Sequence, residues 1–391
     1  MARRASLIVA ALILTGLALW PAGAKNGGIA VSAQESQAGV PEYKVDPNWP
    51  KPLPNNWLLG GVSGVTVDDR DHVWILHRPK VLIDKDPQPG QGPPATTNCC
   101  VPAPSVIEFD QDGKVVQAWG GQSTPQYQWP YSEHGIDVDR QGNVWVTDEG
   151  NSRRPNDGGF IVLKFTRTGQ FVLQIGKYGM RGENDDTELI GQVAQANVDD
   201  AANEVFVAEG HQSHRLMVFD ATTGKYKRKW NAYGGPTTGG PTPAFDGAAP
   251  PSKTFGEVHC ARFSKDGLVY LCDRKYNRIQ VFKKDGTFVE EINFVKDGKG
   301  YIAPWDVDFS ADKDQKFMFV ADGAHMKIFI VQRKPLKVVG SFAQAGRAAG
   351  QFLFLNTIAV DSKGNLYTGE VTTGDRVQRF VPASGSARGT K

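Results

Sequence analysis

A recurring hairpin constrains the fold of this chain more than any other feature. Residues 134–148 place apolar side chains at Ile136 and Val138, then at Val144 and Val146, around a turn at residues 140–143. This alternation reads as two antiparallel strands joined tightly. Residues 259–273 and 356–370 repeat it. In each copy an entry residue (His134, His259, Asn356) is followed fourteen positions later by a carboxylate (Asp148, Asp273, Glu370). Related copies begin at Ser63, Ala194 and Trp305. A third strand follows each hairpin, as at residues 215–220 and 279–283, and a fourth often follows a turn, as at 287–292. Four strands per repeat, with repeats about 45 to 70 residues apart, describe an all-β fold, a six-bladed β-propeller. The propeller spans 43–382, and its first segment adds a strand to the last blade and closes the ring.

In a propeller the first strand of every blade lines the central channel, so equivalent positions form a ring. The six entry residues are Ser63, His134, Ala194, His259, Trp305 and Asn356. His134, His259 and Asn356 fall on alternate blades and converge on the axis, the pattern of an open metal site with N and O ligands. A second ring lies at the ends of the second strands. Its carboxylates (Asp148, Glu149, Glu209, Asp273, Asp322, Glu370) read mostly as acceptors for backbone N–H groups of neighbouring turns. Arg78 and Arg274 either pair with those acids or bind a substrate carboxylate through the guanidinium fork. His211 is a candidate acid/base group, a candidate in place of Asn356 to complete the metal site, or a rim histidine satisfied by its neighbours. His72 and His325 are expected at the surface.

Residues 1–24 carry two arginines, a short apolar core and a small-residue cleavage site, the features of a signal peptide. Residues 25–42 read as a flexible linker and 383–391 as a disordered tail. Export to the periplasm or the extracellular space is expected, with no membrane span in the mature chain and a monomeric state. Cys260 falls opposite Cys272 if Phe263 pairs with Val269, which permits a cross-strand disulfide, and Cys99 and Cys100 are adjacent; free, partly buried thiols are the alternative for both pairs. A net charge of +2, with no basic stripe, excludes nucleic acid as a partner. Two long insertions, 81–104 and 231–253, and a shorter one, 151–159, are expected to decorate the faces of the propeller.

The repeats resemble NHL repeats. Across residues 57–381 the chain is similar to the catalytic domain of peptidyl-α-hydroxyglycine α-amidating lyase. The likeness is strongest at 61–78, 134–148 and 258–282. The resemblance implies a channel zinc held by three histidines, two of which match His134 and His259, with Asn356 at the third position. It implies substrate-facing arginines at Arg78 and Arg274, and it puts His211 where the family has an active-site tyrosine. Thr357 stands at the family's structural-calcium aspartate.

Three functions are compatible with these residues. The first is a metal-dependent, lyase-like enzyme using zinc or another divalent transition metal on a small-molecule or peptide substrate that bears a hydroxyl or carboxylate. The second is a non-catalytic propeller that binds a ligand or a protein partner. The third is a calcium-dependent lactonase-type site, which the histidine-bearing axial ring suits least.

Overall fold

Each expected hairpin forms the inner half of a four-stranded antiparallel sheet. The computed structural model describes residues 39–84, 100–150, 158–183, 185–211, 213–237, 242–294, 303–371 and 373–383. Among them are six such sheets, whose inner strands are Gly61–Val67, Glu133–Val138, Val193–Asp199, Val258–Phe263, Asp306–Phe309 and Leu355–Val360. These define blades one to six. The second strands, such as Val73–Arg78 and Val144–Asp148, are buried almost throughout because a neighbouring blade covers each face. Residues 1–24, most of the expected linker and tail, Cys99, and parts of all three insertions (85–99, 151–157 and 238–241) lie outside the described residues.

The core is divided into six apolar clusters, one for each pair of neighbouring blades. Val62, Val65 and Ile75 of blade one, for example, pack against Ala359, Tyr367 and Val377 of blade six. The ring is thus continuous. It is closed by Tyr43–Asp46, which pairs antiparallel with Arg376–Pro382 as the outer strand of blade six, Tyr43 opposite Pro382. Tyr43 then stacks on Phe342 and meets Phe319 edge-on, and Trp49 packs on Phe109 and Tyr367.

In blades one, two and six the turn after the inner strand is set by an aspartate, Asp68, Asp139 or Asp361. Asp139 accepts the backbone N–H of Asn143 at 2.7 Å and the indole N–H of Trp145 at 3.1 Å, while Gly142 supplies the left-handed φ of 82° that the turn needs. Asp361 does the same with Asn365 and the Tyr367 hydroxyl. The hairpin of blade four has the expected register: Phe263 faces Val269 and Cys260 faces Cys272. Cys260 and Cys272 are disulfide-bonded, with Cα atoms 4.9 Å apart, and Cys100 is also in a disulfide. No described helix is long and apolar enough to cross a membrane.

At the start of the inner strands the pairing is interrupted. In blades one, three, four and six the ladder steps over one residue: Ser63, Ala194, His259 and Asn356. In blade two it steps over His134 and Gly135. These are β-bulges, in which an extra residue is left out of the ladder and its side chain is re-aimed. The residues left out are entry residues of the repeat.

Candidate metal centre

The bulges at His134, His259 and Asn356 share one device. His134 donates from Nδ1 to Ala194 O at 2.9 Å, His259 from Nδ1 to Trp305 O at 2.6 Å, and Asn356 from Nδ2 to Ser63 O at 2.7 Å. Each acceptor is the entry residue of the next blade. For the histidines this bond fixes the proton on Nδ1 and leaves the Nε2 lone pair free, the orientation that a metal ligand requires. His259 Nε2 is buried and has no partner among the described residues. Burial pushes the His134 imidazole down to about 3 and holds His259 well below its ordinary range, with Arg274 adding to the effect at both. Both rings are neutral at physiological pH.

The third imidazole is His211. It follows the second strand of blade three, Glu204–Glu209, and its own φ of 61° is in the left-handed region. Gly210 before it makes room, since a Cβ there would lie 2.9 Å from Val258 O. His211 Nε2 lies 3.2 Å from His134 Nε2. His134, His211 and His259 each offer a ligand atom, and these three atoms lie within 4.8 Å of one another.

Two glutamates clamp His211. Glu149 Oε2 is 2.8 Å from its Nε2 and 3.5 Å from His134 Nε2, and Glu257 Oε1 is 2.9 Å from its Nδ1. Burial would depress the His211 imidazole, but Glu149 and then Glu257 push it up to about 9. Burial would likewise raise the Glu149 carboxyl, but Arg78, His211 and His134 hold it well below the usual carboxylate range. Behind the clamp stand the two arginines. Arg78 Nη2 is 3.1 Å from Glu149 Oε1, and Arg274 pairs with Glu257. Arg78 also donates from Nε to Glu133 O at 2.6 Å, and the Arg274 guanidinium lies 4.4 Å from the Trp305 ring centroid.

All six residues singled out from the sequence are accounted for, in a different arrangement. His134, His259, Arg78 and Arg274 come together as expected. His211, expected as an acid/base group or as the residue that completes a metal site, brings its imidazole beside the other two. Asn356, expected as a ligand, donates from Nδ2 to Ser63 O, a bond that does not involve Oδ1, the atom an amide offers to a metal. The arginines pair with Glu149 and Glu257, while the strand-end acids serve mostly as backbone acceptors: Asp148 takes the N–H groups of Tyr131, Ser132 and Gly150, and Asp273 those of Gly256 and Glu257. Glu257 was invisible to the repeat because it precedes the inner strand and has no counterpart at the same offset in other blades.

Two expectations for other histidines need adjustment. His325 is half exposed, but its Nδ1 lies 2.8 Å from Asp322 Oδ2. His72 is not a solvated surface residue: its Nδ1 is 2.6 Å from Glu108 Oε1, and with Asp68 and Glu108 it forms a second cluster of side chains of the types that can ligate a metal. There Arg167 of blade two bonds Asp68 at 2.7 Å and also bonds Glu108, and Trp74 donates to Asp68 at 3.1 Å. The carboxylates are therefore already compensated, and the cluster ties blade one to blade two.

A further buried charge lies deeper in the channel. Arg262 of blade four forms a two-pronged pair with Asp306 of blade five at 2.9 and 3.1 Å, and Asp306 in turn accepts from Thr357 of blade six at 2.8 Å. Thr357 is thereby hydrogen-bonded to a carboxylate of the neighbouring blade.

No protein-family model matches this chain. Among curated proteins it is similar to peptidyl-glycine alpha-amidating monooxygenase B of Xenopus laevis, with 24% identity over 359 residues, covering 88% of this chain and 36% of that protein. It is 26% identical over 262 residues to peptidylglycine alpha-amidating monooxygenase of Rattus norvegicus, covering 64% of this chain and 24% of that one. It is also 26% identical over 286 residues to human NHL repeat-containing protein 3, covering 71% and 73% of the two chains. The chain thus spans roughly a third or less of the amidating monooxygenases it matches. Among solved structures, a streptogramin B lyase aligns with a TM-score of 0.49 and 12% identity over 88% of this chain and 97% of that one. The chain is a six-bladed propeller with distant homologues among the amidating monooxygenases and NHL-repeat proteins.

Proposed function

We propose that this protein is a metal-dependent lyase of the peptidyl-α-hydroxyglycine type, acting on a substrate with a hydroxyl and a carboxylate on one carbon. The observation that carries this reading is the convergence of His134, His211 and His259, whose ligand atoms lie within 4.8 Å of one another. The donor set fits a transition metal such as zinc. It offers three imidazole nitrogens with Glu149 beside them, and the lone pair of His259 Nε2 is buried with no partner among the described residues. Calcium, which takes oxygen ligands, suits this set poorly.

When bound, the metal would act as a Lewis acid toward a substrate oxygen. The remaining work falls to the chain's own side chains. Arg78 and Arg274 offer guanidinium forks to the substrate carboxylate. Each already holds a glutamate, so substrate binding exchanges one carboxylate partner for another. Glu149 is held ionised beside the imidazoles and is placed to take the hydroxyl proton. In the reaction that the resemblance implies, that proton leaves, the C–N bond breaks and the amide nitrogen gains a proton, giving a peptide amide and glyoxylate.

The test is elemental analysis of the mature protein beside the His134→Ala/His259→Ala double variant, with glyoxylate release from an N-acyl-α-hydroxyglycine. About one zinc and chelator-sensitive turnover are expected in the wild type, and neither in the variant. A double variant that keeps its metal would refute the assignment.

One observation favours a second reading, a binding propeller without catalysis. Glu149 and Glu257 give both nitrogens of His211 carboxylate partners within the protein itself. Under that reading a chelator leaves ligand binding unchanged. For either function we propose export, supported by the leader-like residues 1–24 and by a disulfide that suits an oxidising compartment. Amino-terminal sequencing of the secreted or periplasmic protein should find a start just after Ala24.

A further inference from the structure

We propose that the blade-five and blade-six side of the channel mouth is the subsite for the substrate's acyl group, that Trp305 and Phe354 determine it, and that it prefers an aromatic or long aliphatic acyl group. The proposal rests on the lyase reading and names the part of the substrate which that reading leaves open.

Trp305 is the entry residue of blade five and belongs to the axial ring. Its ring centroid lies 5.7 Å from that of His259, and its carbonyl takes the His259 Nδ1 proton. The indole is seated on Gly323, where a Cβ would come within 2.5 Å of Trp305 Cδ2 and 2.6 Å of Cε2, so a side chain at 323 would unseat it. Phe354 stands edge-on to the indole, centroids 5.2 Å apart and planes at 83°. Phe354 is 42% exposed, unusual for a phenylalanine beside a buried site. Its φ of 60° is in the left-handed region, and its backbone N–H faces Met326 Sδ at 2.9 Å. Trp305, Phe354 and Met326 therefore make an apolar wall that runs from the imidazoles outward. The opposite side of the site, with Arg78, Glu149 and His211, is polar and charged.

Among the described residues, two polar atoms of the axial ring are buried without partners, and they sit on adjacent blades: His259 Nε2 and Trp305 Nε1. The first is an acceptor suited to a metal. The second is an N–H donor, which needs an oxygen. Arg274, stacked on the same indole, fixes where the anionic end of a ligand lies. An N-acylglycine with its carboxylate toward Arg274 brings its acyl carbonyl oxygen to the indole N–H and its acyl substituent along the Phe354 ring.

The test is calorimetric binding of N-benzoylglycine and N-acetylglycine to the zinc-loaded protein, to Phe354→Ala and to Trp305→Phe, with folding and zinc content checked for each. The wild type should bind the benzoyl compound about tenfold more tightly, the effect expected of burying a phenyl group against an aromatic shelf. In Phe354→Ala that ratio should fall to about two. Trp305→Phe keeps the apolar surface and removes the N–H, so both ligands should weaken by a similar factor of about five to ten while their ratio survives. A wild-type ratio near one, or a ratio unchanged in Phe354→Ala, overturns the subsite and leaves the lyase reading standing. If neither compound binds the wild type, the lyase reading fails and the subsite fails with it.

Discussion

His259 and Asn356 hold equivalent places in their blades and do the same thing with one half of the side chain. Each donates to the entry carbonyl of the next blade. The imidazole then has a second nitrogen to offer, whereas the amide is shorter, and His211 reaches in from blade three to supply the third ring nitrogen. The glycine beside His134 shows how tightly that bond is built. A Cβ on Gly135 would lie 2.6 Å from Ala194 O, the acceptor of the His134 proton. Gly135→Ala should cost about 1–3 kcal/mol in urea unfolding and weaken zinc at least about tenfold in a chelator competition. His77 gives a pH signature outside the three-imidazole cluster. His77 accepts the Gly60 N–H at Nδ1 (3.1 Å) and donates from Nε2 to Pro104 O (2.9 Å), and burial pushes it down to about 4. Protonation would break the first bond. The folded value lies below the unfolded one of about 6.5, so the unfolded chain binds more protons in between. His77 thus contributes stability that is complete above pH ~6.5 and is lost as the pH falls toward ~4, on the order of 2–3 kcal/mol. The urea midpoint of His77→Gln should fall less steeply across that window than that of the wild type.

The strand hairpin was the level at which the sequence was most readable. Apolar alternation and the aspartate-led turn are local, so residues 134–148 announce their strands and register without help from the rest of the chain. The same logic placed Cys260 opposite Cys272. That disulfide staples the hairpin that carries His259, with a separation of 12 residues. Replacing both cysteines with alanine should cost about 3 kcal/mol of stability, by the usual loop-closure argument, in denaturant melts. The ring of entry residues was also legible, because a repeat maps equal offsets onto equal positions. What offset counting misses is any group that reaches the same point from a different height. His211 arrives from the end of a second strand through a left-handed residue. Glu149 extends from blade two and Glu257 from the residue before blade four begins. Their meeting is set by the closure of three blades around an axis, and nothing in the local pattern of any one blade encodes it. The bulges were hidden for a similar reason, since an extra residue in a ladder can be counted only once the partner strand is known.

The molecule as a whole is a ring of six cores with one seam. Tyr43–Asp46 seals that seam through backbone pairing, the Asp46–Arg379 ion pair, and the packing of Tyr43 and Trp49 on blades five, six and one. Removing residues 1–50 should lower the Tm by about 10 °C and leave a bare strand edge prone to self-association, visible by differential scanning fluorimetry and light scattering. The seam also has a meaning in time. Its two sides come from opposite ends of the domain, so the segment that is synthesised first must wait for the one that is synthesised last. Every blade before the sixth can take shape as it emerges, but the lock cannot engage until Arg376–Pro382 has been made. Pairing at the seam thus acts as a check on completeness: a chain cut short at either end of the propeller is left with an open edge.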